Sequence, residues 1–138
     1  VQLALNVDDL DAAVDFYTRL FGTAPAKLEP GYANFAIAQP PLKLVLFENP
    51  GLGTTINHLG VEVESPGEVE AAAARLAGEG LATDVESERS CCYAVQDKVW
   101  VTSPEGAKWE VYTVLADDPA AVVATSAATS PGCGPGCC

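Results

Sequence analysis

Basic residues are scarce in this sequence. Seven Lys and Arg stand against 19 Asp and Glu, for a formal net charge of −12. A field of that sign repels phosphate backbones and anionic lipid, which argues against nucleic acid and membrane surfaces as partners. Also missing is the run of about 20 apolar residues that spans a bilayer. No basic-then-apolar signal opens the sequence, so a cytoplasmic protein with reduced thiols is expected. Nor is there a disulfide framework. Of five cysteines, Cys91 and Cys92 are vicinal, while Cys133, Cys137 and Cys138 crowd the last six residues. Histidine occurs once, at His58.

What is present is an internal repeat. Gln2-Leu-Ala-Leu-Asn-Val7 lies over His58-Leu-Gly-Val-Glu-Val63. In both segments Leu and Val alternate with polar or small residues, the pattern of a strand with one face on a core. A helix follows each. In the first, Leu10, Ala13, Val14, Tyr17, Leu20 and Phe21 recur at helical spacing, with Asp8 or Asp9 as cap and Gly22 as stop. In the second, Ser65-Pro66-Gly67-Glu68 forms a capping box ahead of a stripe of Val69, Ala72, Ala73, Leu76 and Ala77. Strands are expected over 32–38 and 42–48 in the first half. In the second they are expected near 82–86, then over 92–95, 99–102 and 108–115. Ser87–Ser90 is read as loop, and turns are placed at Gln96-Asp97 and Pro104–Gly106. The second half carries nine more residues than the first between its helix and its last strand. Cys91 and Cys92 lie in that excess. Past residue 116 the composition turns to Ala, Ser, Thr, Pro and Gly, and 117–138 is expected to be a flexible, Cys-rich tail.

On a period of two, His58 shares a strand face with Gly60 and Glu62, and Gln2 shares the matching face with Ala4 and Asn6. Glu110 sits between Trp109 and Val111, which are assigned to the apolar layer, so the carboxylate projects to the opposite side. A buried carboxylate needs a partner, and a cation is the obvious one. The repeat-equivalent of Glu110 is Val45, which is no ligand. Gln2, His58 and Glu110 therefore suggest a three-ligand metal site with open positions. It is similar to the facial sites of non-haem iron oxygenases, with one imidazole replaced by an amide.

The βα-plus-strands halves, the first-strand ligands and the last-strand Glu resemble the vicinal oxygen chelate superfamily, which includes glyoxalase I, extradiol dioxygenases and the fosfomycin and bleomycin resistance proteins. The resemblance implies an α+β fold over residues 1–116. Two βαβββ modules, about 1–50 and 56–116, would form a curved sheet or open barrel around one metal site.

Two vicinal thiolates favour soft centres such as trivalent arsenic, cadmium or zinc, provided the backbone turns both the same way. The segments around residues 31–36, 41–44, 57–63, 91–93 and 96–102 closely resemble one branch of the superfamily. These are the organoarsenical carbon–arsenic lyases and their cadmium-induced relatives. That resemblance implies Fe(II) on Gln2, His58 and Glu110, and a trivalent methyl- or aromatic arsenical on Cys91 and Cys92. It also implies a mobile loop with Tyr93, Val95 and Lys98 near the substrate. The implied activity is dioxygen-dependent cleavage of the carbon–arsenic bond with release of arsenite, in arsenic detoxification. Cys133, Cys137 and Cys138 are candidates for thiol capture of arsenic or metal. The protein is expected to act as a monomer or homodimer on a small molecule. The competing expectation is a non-catalytic protein that binds cadmium or arsenic through its thiolates. It would need the cysteines but not Gln2, His58 and Glu110.

Overall fold

A computed structural model describes residues 1–117, except residue 92 and the side chain of Cys91. Its elements run β1 (Gln2–Val7), α1 (Leu10–Phe21), β2 (Lys27–Glu29), β3 (Tyr32–Ile37), β4 (Leu42–Glu48), β5 (Ile56–Glu62), α2 (Pro66–Gly78), β6 (Thr83–Cys91), β7 (Ala94–Thr102) and β8 (Lys108–Asp117). The order is βαβββ twice over, in a mixed α+β chain. None of the helices is long and apolar enough to cross a membrane, among the described residues. The chain divides into two compact units, Val1–Gly60 and Val61–Cys138. The first five residues of β5 therefore belong to the unit built by the first repeat.

In the first unit the strands lie in the order β2-β3-β4-β1-β5. β1 runs parallel to β4, with Gln2 beside Lys43 and Ala4 beside Val45. It runs antiparallel to β5. Leu3, Leu5 and Val7 face α1 and pack with Ala13, Val14, Tyr17 and Phe21 around buried Leu10, Ala33, Phe35, Ile37, Leu44 and Leu46. Each large apolar side chain sealed there stabilises the fold by roughly 1.5–3 kcal/mol. α1 starts where Asp9 accepts a hydrogen bond from the Ala12 amide, and it stops at Gly22 in the left-handed conformation, φ 63°. Glycine is suited to that stop because it carries no Cβ to clash at positive φ.

In the second unit the strands lie in the order β8-β7-β6, paired antiparallel throughout. α2 covers them through Val69 and Leu76. These pack on Val99 with Val63, Ala72, Ala73, Val101 and Val111 around them. Half of the expected capping box forms: the Ser65 hydroxyl accepts from the Glu68 amide, while the Glu68 carboxylate reaches one residue further back and accepts from the Glu64 amide instead of that of Ser65.

The hairpin departs from expectation. Ser87–Ser90, read as a loop, belongs to strand β6, and Gln96-Asp97, read as a turn, lies inside β7. The loop-like residues are absorbed by a bulge. The register shifts between Glu86 and Arg89, and Glu88 takes φ 48°. Asp97 serves that bulge, since its carboxylate accepts from the Glu88 amide at 2.7 Å. The reversal comes later than expected, between Cys91 and its pairing partner Ala94, with Tyr93 at φ 66°. Trp109, assigned to the apolar layer, is 38% exposed, whereas Val111 two residues on packs against the cluster under α2.

Candidate metal centre

Gln2, Ala4 and Asn6 alternate along β1, and all three are buried on the side of the strand opposite Leu3, Leu5 and Val7. His58 is 1% exposed and pairs across the β1–β5 ladder with Ala4. The ends of the Gln2 and His58 side chains meet, with Gln2 Nε2 3.0 Å from His58 Nε2. Both residues lie in the first unit. Phe47 packs beside the imidazole, ring centres 6.2 Å apart, and Tyr32 meets Phe47 edge-on. Val45, the repeat-equivalent of Glu110, is buried beside Ala4 and contributes no donor atom.

On its other edge His58 places Nδ1 2.8 Å from the Asn57 side-chain oxygen. An amide oxygen only accepts, so this contact calls for the ring form with the proton on Nδ1 and the lone pair on Nε2. The Gln2 amide N–H then donates to that lone pair. Turning the Gln2 amide end for end places its oxygen where the nitrogen stands, and the shape of the group does not change. The oxygen and the imidazole nitrogen would then be 3.0 Å apart. That is about the spacing of neighbouring ligands around an octahedral ion with bonds near 2.1 Å. The pair thus offers two neutral donors with the separation a divalent cation needs.

Glu110 is in the second unit, on β8, and is 1% exposed. Its carboxylate lies 3.0 Å from the ammonium of Lys98, which is fully buried. Lys98 is therefore neither a solvated lysine nor part of a loop. It sits in mid-strand on β7, opposite Tyr112 on β8 and Glu86 on β6. The ammonium stands 5.3 Å from the centre of the Trp100 ring, within cation–π range. Tyr112 donates to Glu62 at 3.4 Å. A groove of about 410 Å³ in this unit is lined by Asp84, Glu86, Trp100, Thr102 and Lys108 among others. Asp84, Trp100 and Glu110 are cross-strand partners, so the groove lies on the same sheet face as the ion pair.

The sequence-predicted residues thus come together as two pairs, Gln2 with His58 and Lys98 with Glu110. Among the described residues no group of three or more His, Cys, Asp or Glu side chains is arranged to hold a metal. The candidate set relies instead on an amide. Cys91 ends β6 and pairs with Ala94. Tyr93 is buried at the reversal, and Val95 is half-buried near the start of β7. Cys92, Cys133, Cys137 and Cys138, and the tail expected over 117–138 beyond its first residue, lie outside the described residues.

Sequence reasoning missed Asn57, Asn6, Asn49 and Thr55 as a group. Their side chains are joined by hydrogen bonds that end on His58. The available signal was three asparagines at the ends of otherwise apolar strands.

The order of elements, βαβββ repeated, defines the class of fold. The chain belongs to the Glyoxalase/Bleomycin resistance protein/Dioxygenase superfamily, whose sequence profile it matches over residues 1–111. It is 68% identical over 117 residues to the cadmium-induced protein CadI of Mycobacterium tuberculosis (strain ATCC 25618 / H37Rv), covering 85% of this chain and 77% of that one. It is 63% identical over 118 residues to the trivalent organoarsenical cleaving enzyme of Thermomonospora curvata, covering 85% and 78%. Among solved structures, an extradiol ring-cleaving dioxygenase from B. fuscum superposes with a TM-score of 0.65 at 18% identity, over 91% of this chain and 35% of that one. That likeness supports the vicinal oxygen chelate fold.

Proposed function

We propose that this protein is an Fe(II)- and dioxygen-dependent enzyme that cleaves the carbon–arsenic bond of trivalent organoarsenicals. The observation that carries the proposal is the buried Gln2–His58 pair at 3.0 Å, in a chain 63% identical to a trivalent organoarsenical cleaving enzyme. Gln2 and His58 would supply two neutral donors to the metal, and Glu110 the single negative one. Fe(II) bound there supplies dioxygen activation, which no side chain of the protein provides. Cys91 and Cys92 are proposed to hold the arsenic as thiolates, since trivalent arsenic is thiophilic. Holding the substrate on the protein removes the entropy of bringing it to the metal.

The overall conversion balances without an outside reductant. Methylarsonous acid and one dioxygen contain the atoms of formaldehyde and arsenous acid. Arsenic stays trivalent, the carbon loses four electrons, and dioxygen takes them. Lys98 pairs with the buried Glu110 carboxylate at 3.0 Å and is proposed to fix its position. Tyr93 and Val95 flank the thiolates along the chain and are proposed to shape the space for the organic group.

The test is arsenite release from methyl- or phenylarsenite with Fe(II) in air. Release that requires both iron and oxygen supports the proposal; arsenical binding without such release overturns it. The 68% identity to a cadmium-induced protein favours one alternative, sequestration of cadmium or arsenic by the thiolates alone. In that case His58→Ala would leave the protein's full function in place.

A further inference from the structure

His58 is the only histidine in the chain, and its ring is held by more than its strand. Ala4 and Leu5 are consecutive on β1, yet they pair with His58 and Ile56 on β5. Asn57 is the extra residue of a bulge. In a regular strand Asn57 and His58 would point to opposite faces. The bulge turns them far enough together for the Asn57 oxygen to reach Nδ1 at 2.8 Å.

A directed chain of hydrogen bonds leads away from that contact. Asn57 Nδ2 donates to Asn6 Oδ1 at 3.0 Å, and Asn49 Nδ2 donates to the same oxygen at 2.7 Å. Asn6 Nδ2 donates to the Thr55 hydroxyl at 2.9 Å. The Thr55 hydroxyl donates to the Leu52 backbone carbonyl at 2.5 Å. A carbonyl can only accept, and a hydroxyl has one proton to give. Leu52 therefore makes Thr55 an acceptor toward Asn6. Asn6 must then turn its oxygen toward Asn57 and Asn49. Asn57 must turn its own oxygen toward His58.

We infer that this relay, from the Leu52 carbonyl through Thr55, Asn6 and Asn57, is a positioning device. It keeps the His58 proton on Nδ1 and so presents the Nε2 lone pair beside Gln2 before any metal arrives. The inference rests on the proposed metal site for its purpose, but its immediate consequence is the tautomer of one ring. Partners that orient a metal-ligating histidine commonly alter metal affinity 10–100-fold when removed.

The experiment reads both quantities on the full chain. Nitrogen-15 shifts of the single imidazole, recorded on metal-free protein at alkaline pH, report which nitrogen carries the proton. Titration with Mn(II) or Co(II) reports affinity. Wild type is expected to hold the Nδ1–H form. Asn57→Ala is expected to move the proton toward Nε2 and to weaken metal binding about 10- to 100-fold. Asn57→Asp, which keeps an acceptor on Nδ1, should restore both. Thr55→Val, which removes the hydroxyl that directs Asn6, should shift the tautomer in the same sense as Asn57→Ala but less. An Nε2–H ring in the wild type, or an unchanged tautomer in Asn57→Ala, overturns the relay. The wild-type spectrum decides even if a variant fails to fold. If the wild type binds no divalent ion while its ring is Nδ1–H and responds to Asn57→Ala, the relay stands and the metal-centre proposal falls.

Discussion

Lys98 sets its ammonium 3.0 Å from the carboxylate of Glu110, and neither side chain is more than 1% exposed. Two charges withdrawn from water are costly, and each makes the other tolerable. Removing one partner strands the other. Lys98→Met should therefore destabilise the protein by roughly 3–5 kcal/mol, read as a lower urea midpoint. Lys98→Met/Glu110→Leu should recover much of that loss. If the single substitution leaves the midpoint unchanged, the pair is not closed to solvent in the folded protein.

The same ammonium opposes a divalent cation at Glu110. In a folded Lys98→Met protein, Mn(II) or Co(II) should bind more tightly than in wild type, by on the order of tenfold, since each 1.4 kcal/mol of relieved repulsion is worth that factor. Equal or weaker binding would mean that Glu110 is not a ligand, or that Lys98 holds it in its ligating position.

Separate roles for the thiolates and the metal donors predict separable losses. Cys91→Ser and Cys92→Ser should each abolish arsenite release while Fe(II) binding is retained. His58→Ala should lose Fe(II) while the arsenical still binds to the thiols. Equilibrium binding of metal and of arsenical, measured apart, distinguishes the two patterns. Full turnover in His58→Ala would rule out the ligand assignment.

The loop before β5 closes on Asp8. Its Oδ1 accepts from the amides of Gly51 and Gly53, at 2.7 and 3.0 Å. A Cβ on Gly53 would collide with that carboxylate. Gly53→Ala should therefore cost roughly 1–3 kcal/mol through overpacking, seen as a lower thermal midpoint. Asp8→Ala should lose the two hydrogen bonds, but it should make a second substitution of Gly53 by Ala nearly neutral. Additive losses in the double variant would show that the two residues do not meet.

Helix starts give a smaller and local effect. Asp9→Ala and Ser65→Ala each remove a side-chain acceptor from a first-turn amide. Each should cost about 1 kcal/mol, with additive shifts in the thermal midpoint because the caps lie on different helices in different units. Non-additive losses would mean that the two caps are energetically coupled.

Much of this protein can be read from local pattern. Alternation along Gln2–Val7 sets Leu3, Leu5 and Val7 against α1 and leaves Gln2 and Asn6 on the other side. The caps at Asp9 and Ser65 and the stop at Gly22 follow from side-chain and backbone chemistry within a few residues. The repeat itself places Gln2 and His58 in matching positions. In each case the deciding interaction spans one turn of helix or one strand period, and a short stretch of sequence contains it.

What only the tertiary structure decided depends on contacts between distant strands. Lys98 has the composition of a solvent-facing residue, and its burial follows from β8 carrying Glu110 alongside β7. Ser87–Ser90 and Gln96-Asp97 have turn-forming residues. They remain in strands because a bulge at Glu88 finds its acceptor in Asp97. Asn57 is assigned by period to the face opposite His58, and the pairing of β5 with β1 is what inserts the bulge that brings the two side chains together. Bulges and buried ion pairs are set by registers between strands, which no local period encodes. The sequence by itself determined which side chains alternate onto which face of β1 and where the helices start and stop. The register between strands decided how His58 is held and what stands beside Glu110.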